Sequence, residues 1–456
     1  MIYDATVVGS GQGGNPLAYA LADRGWKVAL VEERYLGGTC VNTGCTPTKT
    51  MVASAQVAHY ARVSARWGVR SGRVSVDLRR VIDRKAKIVR EFRAGLRKKV
   101  AARPSLTLHR GHARFVEPHA VRVGRDVLES ERIFIDTGTR PSVPDIAGLR
   151  SVGYLTNASI MEVRTLPKHL LVIGGGYIGL EFGQMFRRFG SEVTILHQGA
   201  EILAREDADT AAALRLALEA EGITFVLEGK TTAARRTKAG VELAVETKAG
   251  HRTVRGTDVL VATGRTPNTG DLGLDRAGIA TDAHGYVTVN ERLETNVPGV
   301  WALGDVKGGP QFTHVSYNDY QVIYANLVEG APASIKDRLV PYSVFTDPQL
   351  GRVGMTEAEA RATGRRLKIG TIPMSWVARA IERGETAGMM KLVVDADTDR
   401  ILGGAMLCAE GGELIQAIRI AMLANLPYTK LKGEIYIHPT LTEGFFTLMD
   451  SVKPRA

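Results

Sequence analysis

Cysteine is scarce: the chain of 456 residues has three, at positions 40, 45 and 408. A structural zinc site takes about four ligands, usually in close pairs, and Cys40 and Cys45 have no second pair. An iron–sulfur cluster asks for more thiolates than stand near one another here. A structural disulfide closing so short a loop adds little stability. Long apolar runs are missing too. "LLVIGGGYIGL" is short and broken by glycine, so no membrane association is expected. No secretory leader is visible, and "MIYDATVVGSG" already reads as a strand, so a cytoplasmic location is expected. Acidic residues are outnumbered and the net charge is +11, much of it in Leu78 to Arg103. Nucleic-acid binding would need aromatics or a known binding motif among those charges. Val81, Ile82, Ile88, Val89, Phe92 and Leu96 instead recur at roughly helical spacing. The stretch predicts a surface helix with a solvated basic face and no nucleic-acid partner.

What the chain does have is glycine, in two organised places. In "IYDATVVGSGQGGNPLAYALADRGWKVALVEERY" an apolar strand runs into Gly9-x-Gly11-x-x-Gly14. A helical pattern and a second strand ending in Glu32 follow. A tight turn, close approach of a diphosphate to the backbone, and close helix–strand packing each call for glycine there. The helix N-terminus then faces phosphate charge, and Glu32 is spaced to bind a ribose. "HLLVIGGGYIGLEFGQMFRRFGSEVTILHQ" repeats the pattern with Gly174, Gly176 and Gly179. One such motif is weak evidence; two, each between strand and helix, predict two dinucleotide sites. Gly138 in "FIDTGTRPSVP" and Gly264 in "VLVATGRTPN" mark similar strand exits. Asp305 in "VPGVWALGDV" follows an apolar strand and can accept a hydrogen bond from a polyol hydroxyl.

With these motifs in place, the chain resembles the flavin-dependent pyridine nucleotide-disulfide oxidoreductases. This is the family of dihydrolipoamide dehydrogenase, glutathione reductase and mercuric reductase. The resemblance is carried by "VVGSGQGG", "GGTCVNTGCTPTK", "VIGGGYIGLEFG", "VATGRTPN", "WALGDV" and "HPTLTE". It implies an α/β fold with two Rossmann-like domains, for FAD and NAD(P), and a C-terminal α+β dimerisation domain. The expected boundaries are 1–143 and 267–335 for FAD, 144–266 for NAD(P), and 336–456 for the homodimer interface.

The resemblance also implies residue roles. Cys40 and Cys45 become a redox-active disulfide, Cys45 beside the flavin and Cys40 as the outer interchange thiol. Lys49 sits near the flavin and pairs with Glu181. Gly38, Thr39, Gly138 and Asp305 join the first glycine unit around FAD. Tyr177, His197 and Gly264 join the second around NADPH or NADH. His438 and Glu443, from the partner subunit, shuttle the thiol proton. Electrons then pass from NAD(P)H through FAD and the disulfide to a small acceptor: a disulfide, a quinone or a metal ion. No resident metal is expected, and Cys408 reads as a buried apolar thiol.

A metal-ion reductase of the mercuric branch is the alternative. The chain lacks the C-terminal vicinal cysteine pair of mercuric reductase and its cysteine-containing metal-binding domain. Apolar residues of dihydrolipoamide dehydrogenase are replaced by Thr43 and Thr46. A non-catalytic nucleotide-binding redox sensor is the rival of another class. Retention of Cys40, Cys45, Lys49, Glu181, His438 and Glu443 argues against it.

Overall fold

From Ala5 onward the first strand, Ile2–Val8, is buried at every residue. Strands covered on both faces by helices are built this way. It pairs in parallel with Val28–Glu32 on one side and Asp126–Ile135 on the other. Leu106–Arg110 extends the sheet past Val28–Glu32, and two antiparallel strands, Ala120–Val123 and Ala113–Glu117, extend it past Asp126–Ile135. Val300–Ala302 joins in parallel on Asp126–Ile135 from far along the chain. The structure, a computed structural model, describes residues 1–455.

A second parallel sheet has the order Ile223–Val226, Glu192–Leu196, His169–Ile173, Asp258–Val261. Each sheet has a glycine turn into a helix, Gly14–Asp23 in the first and Tyr177–Phe189 in the second. Both turns open on a glycine that no other residue can replace without strain. Gly9 has φ 105° and a Cβ there would lie 2.2 Å from the Asp136 carbonyl oxygen. Gly174 has φ 121° and its Cβ would lie 2.3 Å from the Ala262 carbonyl oxygen. Thr139–Pro141 and Arg265–Pro267 pair antiparallel, so the strand exits at Gly138 and Gly264 lie at opposite ends of this short ladder. An antiparallel three-stranded sheet, Lys230–Thr237, Gly240–Thr247 and Gly250–Gly256, lies between strands of the second parallel sheet in sequence. After residue 341 the chain forms a six-stranded antiparallel sheet covered by the helix Gly411–Leu423. Cys408 is fully buried at the end of one of its strands, and burial pushes its thiol up to about 12.

The basic stretch is the helix Leu78–Ala101, started by Asp77, whose carboxylate accepts the Arg80 N–H. Two details depart from the expected solvated face. Phe92 is 52% exposed, because the apolar cluster that receives Leu78, Val81 and Ile82 does not reach it. Lys85 is buried and bonds Glu162 at 2.6 Å. Among the described residues, no helix is long and apolar enough to cross a membrane.

The helix Cys45–Val63 packs on the helix Tyr177–Phe189, joining the regions of the two parallel sheets. Arg188 locks this contact from inside. Its buried guanidinium bonds Glu221 at 2.6 Å and Asp347 at 2.7 Å, and it also donates to Gln56. His59, Glu221 and Asp347 lie close enough to hold a metal ion, but the Arg188 guanidinium already bonds both carboxylates. Removing one partner of a buried ion network leaves the others unpaired. Arg188→Ala is therefore expected to cost about 3–5 kcal/mol. The check is the urea midpoint of the purified variant; a midpoint within error of the parent's would count against the network.

Candidate active site

A single cleft of about 2240 Å³ is lined by residues from the first glycine turn, the cysteine helices and the segment 337–345. Ordinary ligand sites hold about 300–1,000 Å³, so this one has room for a dinucleotide and a second molecule.

Both cysteines face it. Cys40 lies in the short helix Gly38–Asn42 and is half-buried. Cys45 is the first residue of the long helix Cys45–Val63, where unpaired N–H groups favour a thiolate. Its Sγ lies 3.2 Å from Thr313 Oγ1. The Cys45 thiol is lowered to about 6, chiefly by the hydrogen bond with Cys40, and further by Thr313 and the nearby Lys49 cation, against the effect of burial. Cys40 moves the other way, raised by the same hydrogen bond and by burial. The negative charge of the reduced pair therefore rests on Cys45.

Lys49, one turn along the same helix, bonds Glu181 at 2.7 Å. Glu181 is buried and its other oxygen accepts the Phe345 N–H at 2.9 Å. The Lys49 ammonium also stands 4.4 Å from the centre of the Phe345 ring. Tyr177 faces the cleft and lies against Phe312, ring centroids 6.3 Å apart. Phe312 in turn is stacked on both His314 and Tyr342.

Gly9, Gly11, Glu32, Gly38, Thr39, Gly138 and Asp305 all line the same cleft. Glu32 accepts from Ser10 and from the Arg34 N–H. Asp305 accepts from Thr139 at 2.9 Å, and burial raises its carboxyl above the usual range. The second glycine turn reaches the cleft only through Tyr177, Ile178 and residues beyond. His197 follows the strand Glu192–Leu196 and accepts the Gly175 N–H through Nδ1 at 3.3 Å, while its buried Nε2 has no partner. His438 bonds Glu443 through Nδ1 at 2.8 Å, but neither residue lines the cleft within this chain.

Three comparisons bear on this geometry. Residues 3–319 match the family model described as pyridine nucleotide-disulphide oxidoreductase, and residues 340–449 match its dimerisation domain. The chain belongs to the pyridine nucleotide-disulphide oxidoreductases. It is 37% identical to the probable pyridine nucleotide-disulfide oxidoreductase RclA of Escherichia coli, over 99% of both chains. A dihydrolipoyl dehydrogenase of Thermus scotoductus is 35% identical, over 100% of this chain and 98% of the relative. A mercuric reductase of Lysinibacillus sphaericus is 34% identical, over 97% of this chain and 81% of the relative. A solved structure of the HOCl-induced flavoprotein disulfide reductase RclA matches with TM-score 0.90 and 37% identity, covering 99% of this chain and 100% of that one.

The protein is thus an FAD-dependent flavoprotein disulfide oxidoreductase that uses NAD(P)H, with two Rossmann-like units and a dimerisation domain that supports a homodimer. The lining of the cleft fits FAD: Gly9 and Gly11 bring bare backbone to its wall, and the carboxyl groups of Glu32 and Asp305 line it too.

Sequence reasoning passed over Thr313, although it lies against Cys45. It also passed over Asp136, buried directly beneath the first glycine turn.

A pH dependence follows from the lowered Cys45 thiol. Two-electron reduction should produce the long-wavelength absorbance of a thiolate against flavin. A thiol with a lowered pKa is ionised above that value, so the band should persist at neutral pH and fade as pH drops through about 6. Cys45→Ser should lack it, whereas Cys40→Ser should show it before any reductant is added. A band that survives well below pH 6, or appears in Cys45→Ser, would assign the charge elsewhere.

Proposed function

We propose that this enzyme passes electrons from NAD(P)H to a small disulfide or comparable small oxidant through the Cys40–Cys45 pair, in the manner of dihydrolipoamide dehydrogenase. The observation that carries the reading is the asymmetric thiol pair, with Cys45 at a helix N-terminus against Thr313 and Cys40 as its neighbour. Bound FAD supplies the hydride acceptor and the two-electron link between nicotinamide and disulfide. The Gly9–Gly14 turn and the following helix would hold its diphosphate, Glu32 the ribose and Asp305 a polyol hydroxyl. Lys49, fixed by Glu181, would place a cation at the flavin ring. Gly174, Gly176 and Gly179 would take the nicotinamide dinucleotide, with Gly264 at the rim and Tyr177 moving to admit its ring.

In our reading Cys45 keeps the thiolate that faces the cofactor, and Cys40 attacks the acceptor sulfur. A base must carry the proton of Cys40, and no histidine bonds it within this chain. His438 fits the role: Glu443 orients its imidazole, and it stands 68% exposed just after Ile435 and Ile437, which are 98% and 79% exposed. Large apolar side chains left bare in this way mark a contact surface. The homodimer would then place one subunit's His438 over the other's Cys40. We assign the FAD unit to 1–143 and 267–335, the NAD(P) unit to 144–266 and the interface to 336–456.

His438→Ala should lower disulfide turnover about 10²–10⁴-fold with FAD retained. Mixed dimers of Cys40→Ser and His438→Ala chains should recover one working site. Full activity in a monomer, or no complementation in mixed dimers, would remove the shared site.

The acceptor is tested by steady-state turnover on lipoamide, glutathione disulfide, quinones, Cu(II) and Hg(II) in excess thiol. A metal acceptor is the second reading, since RclA, 36% identical, has been solved as a Cu(II) complex. Hg(II) delivery by ligand exchange needs further thiols, and Cys408 is buried in a strand. Turnover is therefore expected to favour disulfides over Hg(II). Robust Hg(II) turnover unaffected by His438→Ala would reverse the assignment.

NADPH should serve at least as well as NADH. NAD-preferring sites end the second strand with an acidic residue for the ribose hydroxyls. Here His197 and the exposed Gln198 stand in that place, with Arg205 exposed nearby. A strong kcat/KM preference for NADH would contradict this.

A further inference from the structure

The two glycine units share one backbone pattern. The Gly9 N–H donates to Val31 and the Gly174 N–H to Leu196, both at 2.9 Å. Asp136 N–H donates to Val8 and Ala262 N–H to Ile173, both at 2.8 Å. Asp136 and Ala262 therefore occupy the same place under their glycine turns. One unit has a methyl group there and the other a carboxyl group.

That carboxyl group is wedged into the phosphate cradle. Oδ2 accepts the Gly14 N–H at 2.7 Å, at the first residue of the helix Gly14–Asp23. A Cβ on Gly11 would lie 2.6 Å from Oδ2, and one on Gly304 would lie 2.6 Å from Oδ1. Asp136 is 7% exposed and lines the cleft. The charged groups around it are acidic: Asp305, Asp319 and Glu32. The neighbouring acids have cations of their own: Lys307 and Arg338 pair with Asp319, and Arg265 stands beside Asp305.

We propose that Asp136 is a positioning residue that works as a neutral carboxylic acid, completing the FAD diphosphate cradle and tying FAD retention to pH. The inference rests on the assignment of FAD to the first glycine unit. An ionised Asp136 would place its own negative charge where the helix N-terminus and the turn receive the diphosphate, and like charges in one site disfavour each other. The neutral acid keeps one oxygen as acceptor for Gly14 and carries an O–H donor on the other. Burial is the main cause holding the carboxyl well above the usual carboxylate range, with the three neighbouring acids adding to it. A group that must be protonated for the ligand to bind weakens binding as pH rises above its pKa, about tenfold per unit.

The test is FAD release from purified holoenzyme, measured by flavin fluorescence in ultrafiltrates from about pH 6 to about pH 10, which spans the ordinary ranges of histidine, cysteine and tyrosine. Wild-type protein should release progressively more FAD as pH rises. Asp136→Asn, which keeps the shape and cannot ionise, and Asp136→Ala, which copies the second unit, should both release FAD with a flatter profile. Parallel profiles in all three proteins would overturn the role of Asp136 while leaving FAD in the first unit. Wild-type protein that holds no FAD, or Asp136 variants that alter only the KM for NADPH, would overturn the cofactor assignment itself.

Discussion

The contact between Lys49 and Glu181 is the constraint on which the site's geometry depends. Lys49 sits one turn beyond Cys45 on the cysteine helix, and Glu181 lies on the helix that follows the second glycine turn. Their 2.7 Å bond therefore fixes the thiol pair relative to the dinucleotide turn. The carboxylate is buried, so the pair stands only because its oxygens are satisfied twice, by Lys49 and by the Phe345 N–H. That second bond draws in the connection between the first two strands of the C-terminal sheet. One carboxylate thus ties three parts of the chain together at the floor of the cleft.

The same arrangement separates the two thiols. Cysteines five positions apart in one loop would titrate alike in water. Here Cys45 stands first in a long helix with its Sγ 3.2 Å from the Thr313 hydroxyl, and the hydrogen bond between the two sulfurs lowers Cys45 and raises Cys40, although Thr313 and Lys49 act on both. Cys40 is left as the protonated donor in their hydrogen bond. An interchange thiol that stays protonated until a base arrives reacts only when that base is in place. In the proposed reaction, attack by Cys40 would then wait on an imidazole such as that of His438.

The sequence carried the parts of the site whose chemistry is local. Both glycine turns, the cysteine pair and Glu32 are spaced by the backbone itself, so their roles show in short segments. Lys49 and Glu181 were legible only as a pair implied by family resemblance, since 132 positions separate them. Thr313 and Cys45 are 268 positions apart, and nothing local marks that threonine. Arg188 reads as one more positive charge on a helix, yet it is buried and bonded to two acids. Lys85 and Phe92 exchange their expected places for a related reason. A helical period gives the direction of a side chain, but burial depends on what arrives opposite it.

Charge is distributed against the simple expectation for a protein that binds nucleotides. The chain is strongly basic, yet the floor of the first glycine unit collects Glu32, Asp136, Asp305 and Asp319. A basic surface raises the local concentration of anionic dinucleotides without choosing where they bind. In the proposed assignment, choice would be left to short-range groups: backbone N–H donors at the helix start for phosphate, and carboxylates for sugar and polyol hydroxyls. In that reading, backbone amides together with the Glu32 and Asp305 carboxylates would discriminate against a bare anion, because phosphate alone gains nothing from those two carboxylates and is repelled by them. A dinucleotide satisfies both kinds of group at once. Under the proposed assignment, Glu32 and Asp305 would give the first unit a preference for a whole cofactor over the free anions that the basic surface also attracts.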